Sequence, residues 1–209
     1  MDVRKNRGRN LFYYSWNEVE EILQKSPAVV VTAGSFEQHG LHLPMGTDSI
    51  LTHAVAEALC ERMDLYYYPC TTYGQVWSAR DFLGTVSISE NILGDYLAQV
   101  IRSVRRFSGA KIFLYSFHKG NTGTLRGMLR RLRDEEGWTD LYVLDQPDLE
   151  KEACRYLRTP VWKGIWHAGE LETALMLHVA PELVDMGAAT CEFPQVPSDY
   201  GLRPIPWRE

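Results

Sequence analysis

The sequence predicts an α/β fold with a mostly parallel central sheet and helices on both faces. Two observations carry that prediction. Short apolar runs alternate with longer stretches of helical periodicity, so successive strands are joined by crossovers long enough to hold a helix. The runs AVVVTA (28–33) and KIFLYSF (111–117) are also apolar nearly throughout instead of alternating, as in strands covered on both faces. With 209 residues and no internal repeat or low-complexity run, the chain is sized for one domain. We place that domain at 1–191, followed by an arm at 192–209, because four of the ten prolines (Pro194, Pro197, Pro204, Pro206) fall there.

The elements follow in order. The run 28–33 stops at Gly34 as a buried strand. Residues 50–63 place Ile50, Leu51, Ala54, Val55, Ala58 and Leu59 at helical spacing. A second strand is expected at 65–70. A helix at 91–107 carries Ile92, Leu93, Tyr96, Leu97, Val100, Ile101 and Val104 on one side, and Gly109 ends it. The third strand is 111–117. A helix at 122–136 is closed by Gly137, a fourth strand spans 140–145 and a short helix is expected at 149–157. The last helix, 170–179, cannot continue through Pro181.

Composition excludes several classes. Hydrophobic residues are 45% and charged residues 23%, the balance of a globular chain rather than a disordered one. A formal net charge of -5 argues against nucleic acid or anionic lipid as partner. No apolar run approaches the roughly 20 residues a bilayer requires. The basic start MDVRKNRGRN is followed by a stretch broken by Ser15, Asn17 and Glu18, which is no signal-peptide core. Cys60, Cys70, Cys154 and Cys191 form no Cys-x-x-Cys pair and read as free thiols of a cytoplasmic protein.

In a parallel sheet of this kind, function sits beyond the carboxyl ends of the strands. That brings segments 34–48 and 118–123 side by side. The first, GSFEQHGLHLPMGTD, concentrates Glu37, His39, His42 and Asp48. Glu37 and His39, two apart, point the same way in extended chain. Asp48 opens the next helix, where a carboxylate also serves as an N-cap. Together these imidazole and carboxylate groups favour a metal site over a capped loop with structural histidines.

The second segment, FHKGNTG, puts His118 directly after a strand. Asn121 fixes the loop or touches substrate, and Lys119 is either a solvated lysine or a cation at the pocket mouth. No Gly-Lys-Ser/Thr follows, so this is not a Walker loop. A third segment, HAGELET, carries His167, Glu170 and Glu172. Positions two apart lie about 200° apart around a helix, so Glu170 and Glu172 do not both face one site. Four of the six histidines fall in these clusters, while His53 and His178 sit mid-helix and read as structural. Trp77, Trp162 and Trp166 are candidate pocket walls or core. Arg126, Arg130 and Arg133 form one helical stripe, read as a solvated face or as a reach toward a phosphate-bearing substrate.

These clusters resemble the creatininase (creatinine amidohydrolase) family. The residues that carry the likeness are Gly34-Ser35-x-Glu37-Gln38-His39-Gly40-x-His42-Leu43-Pro44 through Asp48, then Gly84-Thr85, then His118-x-Gly120-Asn121, then His167-Ala168-Gly169-Glu170-x-Glu172-Thr173. The match runs from about residue 29 to 184 and keeps all four motifs in order. It implies a three-layer α/β/α sandwich with a dinuclear metal centre that hydrolyses C–N bonds. By the resemblance, Glu37, His39, Asp48 and His118 are ligands, with Asp48 shared between the ions. Creatininase itself completes the second metal with a glutamate two places after the His118 position. Here that place is Gly120, so an oxygen ligand is expected from Glu170 or Glu172, and Glu170 is preferred. Leu41 stands where proline is usual, and Lys119 replaces a small or aromatic residue.

The resemblance thus implies two divalent ions (zinc, manganese or iron) and a bridging hydroxide that attacks an amide, lactam or formamide of a small-molecule substrate. His167 is the expected general acid, with whichever of Glu170 and Glu172 is not a ligand as the alternative. His42, Lys119 and Asn121 are expected to contact substrate. The alternatives are a hydrolase of a cyclic sugar ketone or a small peptide, and a catalytically silent metal-binding relative. By the same resemblance the protein is expected to be a homo-oligomer, a hexamer being one form. It is expected to be cytoplasmic.

Overall fold

The computed structural model describes residues 7–145, 151–159 and 167–191. Its sheet has four parallel strands, β1 (Ala28–Ala33), β2 (Tyr66–Thr71), β3 (Lys111–Tyr115) and β4 (Leu141–Leu144), in the order β2-β1-β3-β4. Five helices accompany them among the described residues: α1 (Trp16–Lys25), α2 (Thr47–Met63), α3 (Glu90–Arg105), α4 (Asn121–Glu136) and α5 (Glu170–Val179). The expected α/β sandwich with a parallel sheet is therefore observed. No described helix is long and apolar enough to cross a membrane.

The period of two along each strand sorts side chains between the two faces. Val29, Val31 and Ala33 of β1, with Ile112 and Leu114 of β3, pack against Leu23 of α1, Leu97 and Ile101 of α3, and Leu125 and Leu132 of α4. Ala28 and Val30, with Tyr67 and Tyr115, face Ala56 and Cys60 of α2. Leu51 of α2 and Met176 of α5 meet Phe117 in a third cluster just beyond β3. Both faces are covered, which explains why β1 is buried at every position.

Three boundaries differ from the sequence-based expectation. Helix α1 was not anticipated; its signal is the Ser15-x-x-Glu18 pair, in which the Glu18 carboxylate accepts from Ser15 N–H at 2.9 Å and from its hydroxyl at 2.6 Å. Helix α2 begins at Thr47 with Gly46 before it, so Asp48 lies inside the first turn rather than capping it. Of the short helix expected at 149–157, residues 151–153 are helical, 154–157 are not, and 149–150 lie outside the described residues. The arm at 192–209, Trp162 and Trp166 lie outside the described residues.

The strand order has a functional consequence. The chain leaves β1 toward β2 on one side and later returns to add β3 on the other. The loops leaving β1 and β3 therefore diverge and open a crevice at the carboxyl end of the sheet.

Candidate metal centre

Each of those two loops delivers part of one buried cluster. Glu37 and His39 come from the β1 loop, Asp48 from the first turn of α2, and His118 follows β3; all four are buried. Glu172, from the first turn of α5, has a side chain only 12% exposed. His118 Nδ1 lies 2.8 Å from Glu37 Oε1 and 3.0 Å from Asp48 Oδ2. His39 Nε2 lies 3.6 Å from the same Asp48 oxygen and 3.7 Å from Glu172 Oε2. Asp48 thus belongs to two ligand-type triads, Glu37–Asp48–His118 and His39–Asp48–Glu172; a third group is Glu37–His39–His167. Ser35 holds the shared carboxylate by donating its hydroxyl to Asp48 Oδ2 at 2.5 Å.

The orientation of both rings fits a cation. His39 Nδ1 faces the Glu37 carbonyl at 3.1 Å and His118 Nε2 faces the Gln75 carbonyl at 2.7 Å. A carbonyl can only accept, so those nitrogens carry the protons, and His39 Nε2 and His118 Nδ1 are the nitrogens turned toward the carboxylates, where a cation could sit. His39 Nε2 and Glu37 Oε1 are buried with no hydrogen-bond partner of good geometry. Ligand atoms on a tetrahedral zinc sit about 3.3 Å apart, given metal–ligand bonds of roughly 2.0–2.1 Å. The contacts around His39 are slightly longer than that and those around His118 slightly shorter.

The electrostatics point the same way. Burial raises the Glu37 carboxyl, partly offset by His118. Burial also opposes the charge of Asp48, but His118 and His39 outweigh it and hold this carboxyl well below its usual range. Burial works against a charged His118 and a charged His39. The carboxylates around them prevail, raising His118 well above its usual value and His39 to about 9. Burial pushes Glu172 up to about 7 against the pull of His39. Without an ion, protons on two imidazoles balance a buried set of carboxylates, which is the charge a divalent cation would supply.

The loops are built to hold this shape. Gly40 turns at φ +69° between His39 and Leu41. The Gly84-Thr85 motif supports the same segment, since Thr85 Oγ1 accepts from Gln38 N–H at 3.1 Å and Phe36 bridges Val86. Ala168 adopts a left-handed φ of +53°, which turns its N–H onto Glu172 Oε2 at 2.5 Å.

The other expected site residues are placed as follows. Glu170 does not enter the cluster. Its carboxylate accepts from Arg158 N–H, Thr159 N–H and the Thr159 hydroxyl, bonds that lower its pKa. The helix turns Glu170 and Glu172 to different sides, and the structure brings Glu172, not the preferred Glu170, to His39. His167 donates Nε2–H to the Gln38 carbonyl at 2.5 Å, and its ring centroid lies 4.2 Å from that of His39 with the two planes tilted by 45°. Burial and the charge of His39 lower its pKa to about 3, so it is a neutral imidazole here rather than a ready acid. His42 is buried and bonds Thr173 Oγ1 at 2.9 Å, tying the β1 loop to α5. Asn121 is fully buried. Lys119 is exposed. Trp77 is half-buried beneath the Arg80 guanidinium. Arg126 pairs with Asp145 on the solvent side of α4. Cys60, Cys154 and Cys191 are free thiols.

Comparisons of sequence and of fold find relatives of this chain. Residues 13–209 match the family model for creatininase, described as creatinine amidohydrolase. A mycofactocin precursor peptide peptidase of Mycobacterium ulcerans (strain Agy99) is 32% identical over 170 residues, covering 76% of this chain and 60% of that protein. A creatinine amidohydrolase of Pseudomonas putida is 28% identical over 207 residues, covering 91% and 79%. The chain thus spans about 60% of the length of the peptidases it matches. A crystal structure of creatinine amidohydrolase (creatininase) superposes with a TM-score of 0.84 at 25% identity, covering 97% of this chain and 84% of the other. A manganese creatininase superposes at 0.77, also at 25% identity, covering 96% and 84%.

Proposed function

This chain belongs to the creatininase family, and we propose that it is a metal-dependent hydrolase of a C–N bond in a small substrate. The observation that carries the proposal is Asp48, one buried carboxylate oxygen placed between two sets of ligand-type side chains. Glu37, Asp48 and His118 would hold one divalent ion; His39, Asp48 and Glu172 would hold the second. Zinc, manganese and iron all suit imidazole and carboxylate donors. Bound there, such ions supply Lewis acidity and a water acidic enough to be a nucleophile near neutral pH.

The chain's own residues do the rest. Ser35 fixes the shared carboxylate, and the Glu37 and Gln75 carbonyls fix which nitrogen each histidine presents. The leaving nitrogen needs a proton. We assign that traffic to His167, whose ring lies against His39. Since its Nε2–H is held by Gln38, the proton would pass through Nδ1. The role proposed for Glu170 as ligand passes to Glu172.

A peptide is the second reading, favoured by relatives named as peptidases at 30–32% identity. In either case we place the protein in the cytoplasm as a homo-oligomer. The test is elemental analysis after reconstitution, with Glu37→Gln and His118→Ala alongside. It is followed by a panel of lactams, formamides and short peptides offered to zinc- and manganese-loaded protein. Fewer than one equivalent of metal in the wild type, or variants that keep both ions, would sink the metal reading.

A further inference from the structure

Asn121 has no exposed surface, and its amide makes three hydrogen bonds. Its Oδ1 accepts from Gln75 N–H at 2.9 Å. Its Nδ2 donates to the Gly34 carbonyl at 2.9 Å and to Ser116 Oγ at 3.1 Å. The amide orientation follows from those partners: an N–H lies on one side and a carbonyl on the other. Ser116 spends its own proton on the His118 carbonyl, which leaves it a lone pair for Asn121. One amide therefore joins the ends of β1 and β3 to the loop at 74–76.

That loop matters because of what the other side of Gln75 does. Its carbonyl receives His118 Nε2–H at 2.7 Å. The chain of contacts runs from Asn121 to the Gln75 N–H and, across the backbone of that residue, from its carbonyl to the imidazole. Two glycines show how tightly it is packed. A Cβ on Gly74 would lie 2.7 Å from Asn121 Oδ1 and strike the Gly34 carbonyl. A Cβ on Gly120 would strike His118 Nε2 and lie 2.7 Å from the Gln75 oxygen. Neither glycine needs a positive φ; each is bare because the clamp occupies its side-chain space.

We propose that Asn121 is a positioning residue that, through the backbone of Gln75, locks His118 with Nε2 protonated and Nδ1 presented to the metal. It acts on no substrate atom. This rests on the metal reading only for its second half, because the ring is clamped whether or not an ion is bound. A bond that fixes the tautomer and ring plane of a metal-binding histidine typically changes metal affinity about 10–100-fold when removed.

The experiment uses full-length protein with ¹⁵N-labelled histidine, metal-free and zinc-loaded, compared with Asn121→Ala and Gly120→Ala. Gly120 sits at φ -55° and ψ -31°, which alanine adopts freely, so this second variant disturbs the clamp without a backbone penalty. In the wild type we expect a solvent-protected His118 Nε2–H signal in both forms and the ¹⁵N shift of an Nδ1-bound ring with zinc. Both variants should lose the protection and bind zinc about 10–100-fold more weakly at the His118 site. A folded variant that keeps the protected Nε2–H and wild-type affinity overturns the positioning role and leaves the metal reading intact. A wild type that takes up no zinc overturns the metal reading, while the metal-free spectra still decide whether Asn121 clamps the ring. Zinc bound to His118 through Nε2 overturns the assignment outright.

Discussion

Loading this site with metal should expel protons, and the structure says from which groups. Burial works against a charged His118, but the Glu37 and Asp48 carboxylates outweigh it and hold this imidazole well above its ordinary value. His39, at about 9, is almost fully protonated, and Glu172, at about 7, is half protonated. Ligation requires neutral imidazoles and ionised carboxylates, so at pH 7 His39 and Glu172 together release about 1.5 protons, and His118, held above its usual value, and Glu37, raised by burial, add to that number. At pH 9, with His39 half titrated and Glu172 ionised, the share of those two falls to about 0.5. Isothermal titration in buffers of different ionisation enthalpy reads this number directly. Release of fewer than one proton at pH 7 would mean the imidazoles are already neutral, refuting the charge balance argued above. The same shifts fix the stability of the metal-free protein. His39 is raised from 6.5, so its contribution is fully present below pH 6.5 and is lost as pH rises through about 9. Glu172 is raised from 4.5, so its contribution is lost between pH 4.5 and about 7. Metal-free protein should therefore melt at lower temperature as pH rises from 5 to 9.

Four further outcomes follow from named contacts. Glu172→Gln should reduce bound metal from two equivalents to about one, whereas Glu170→Gln should leave metal content unchanged, because its carboxylate serves the 158–159 backbone; elemental analysis decides, and equal loss in both would refute the assignment of the ligand. Adding Gly120→Glu to Glu172→Gln should not restore the second ion, since that side chain would have to displace the His118–Gln75 contact. Ala168→Gly should keep or raise the urea midpoint, relieving about 1–2 kcal/mol of left-handed strain against up to about 1 kcal/mol of added freedom in the unfolded chain. Leu132, fully buried between α4 and the sheet, should cost about 2–5 kcal/mol as alanine in equilibrium urea unfolding.

The parts of this fold legible in the sequence were those set by local pattern. Continuous apolar runs gave β1 and β3, and Pro181 gave the end of α5, because burial on both faces and a missing N–H act within a few residues. The Glu37-x-His39 pair and His118 stood out because ligand-type residues followed strands whose ends face the crevice. What stayed hidden depends on distant partners. Choosing between Glu170 and Glu172 required the phase of α5 against α2, which no spacing within HAGELET contains. The structural use of His42 required its partner Thr173, 131 positions away. Asn121 looked like a loop or substrate residue because its three partners come from three separate segments. Helix α1 is a different case, since its Ser15–Glu18 signal was present in the sequence.

Gly120 and Glu172 are best understood as one arrangement. The turn that opens α4 has no room at position 120, because the space beside it is filled by the bond that orients His118. An oxygen donor for His39 and Asp48 must therefore come from another element, and α5 is the one that packs against α2 beside Asp48. Reaching inward from α5 requires the helix start to be anchored. His42 does this by bonding Thr173, whose hydroxyl in turn donates to the Gly169 carbonyl at 2.8 Å. The left-handed Ala168 then aims its N–H at the Glu172 carboxylate and holds it beside His39. The backbone strain at Ala168, the buried histidine bonded to Thr173 and the bare glycine after Lys119 thus fit one proposal: the acidic ligand comes from across the domain rather than from the loop of its neighbouring histidine.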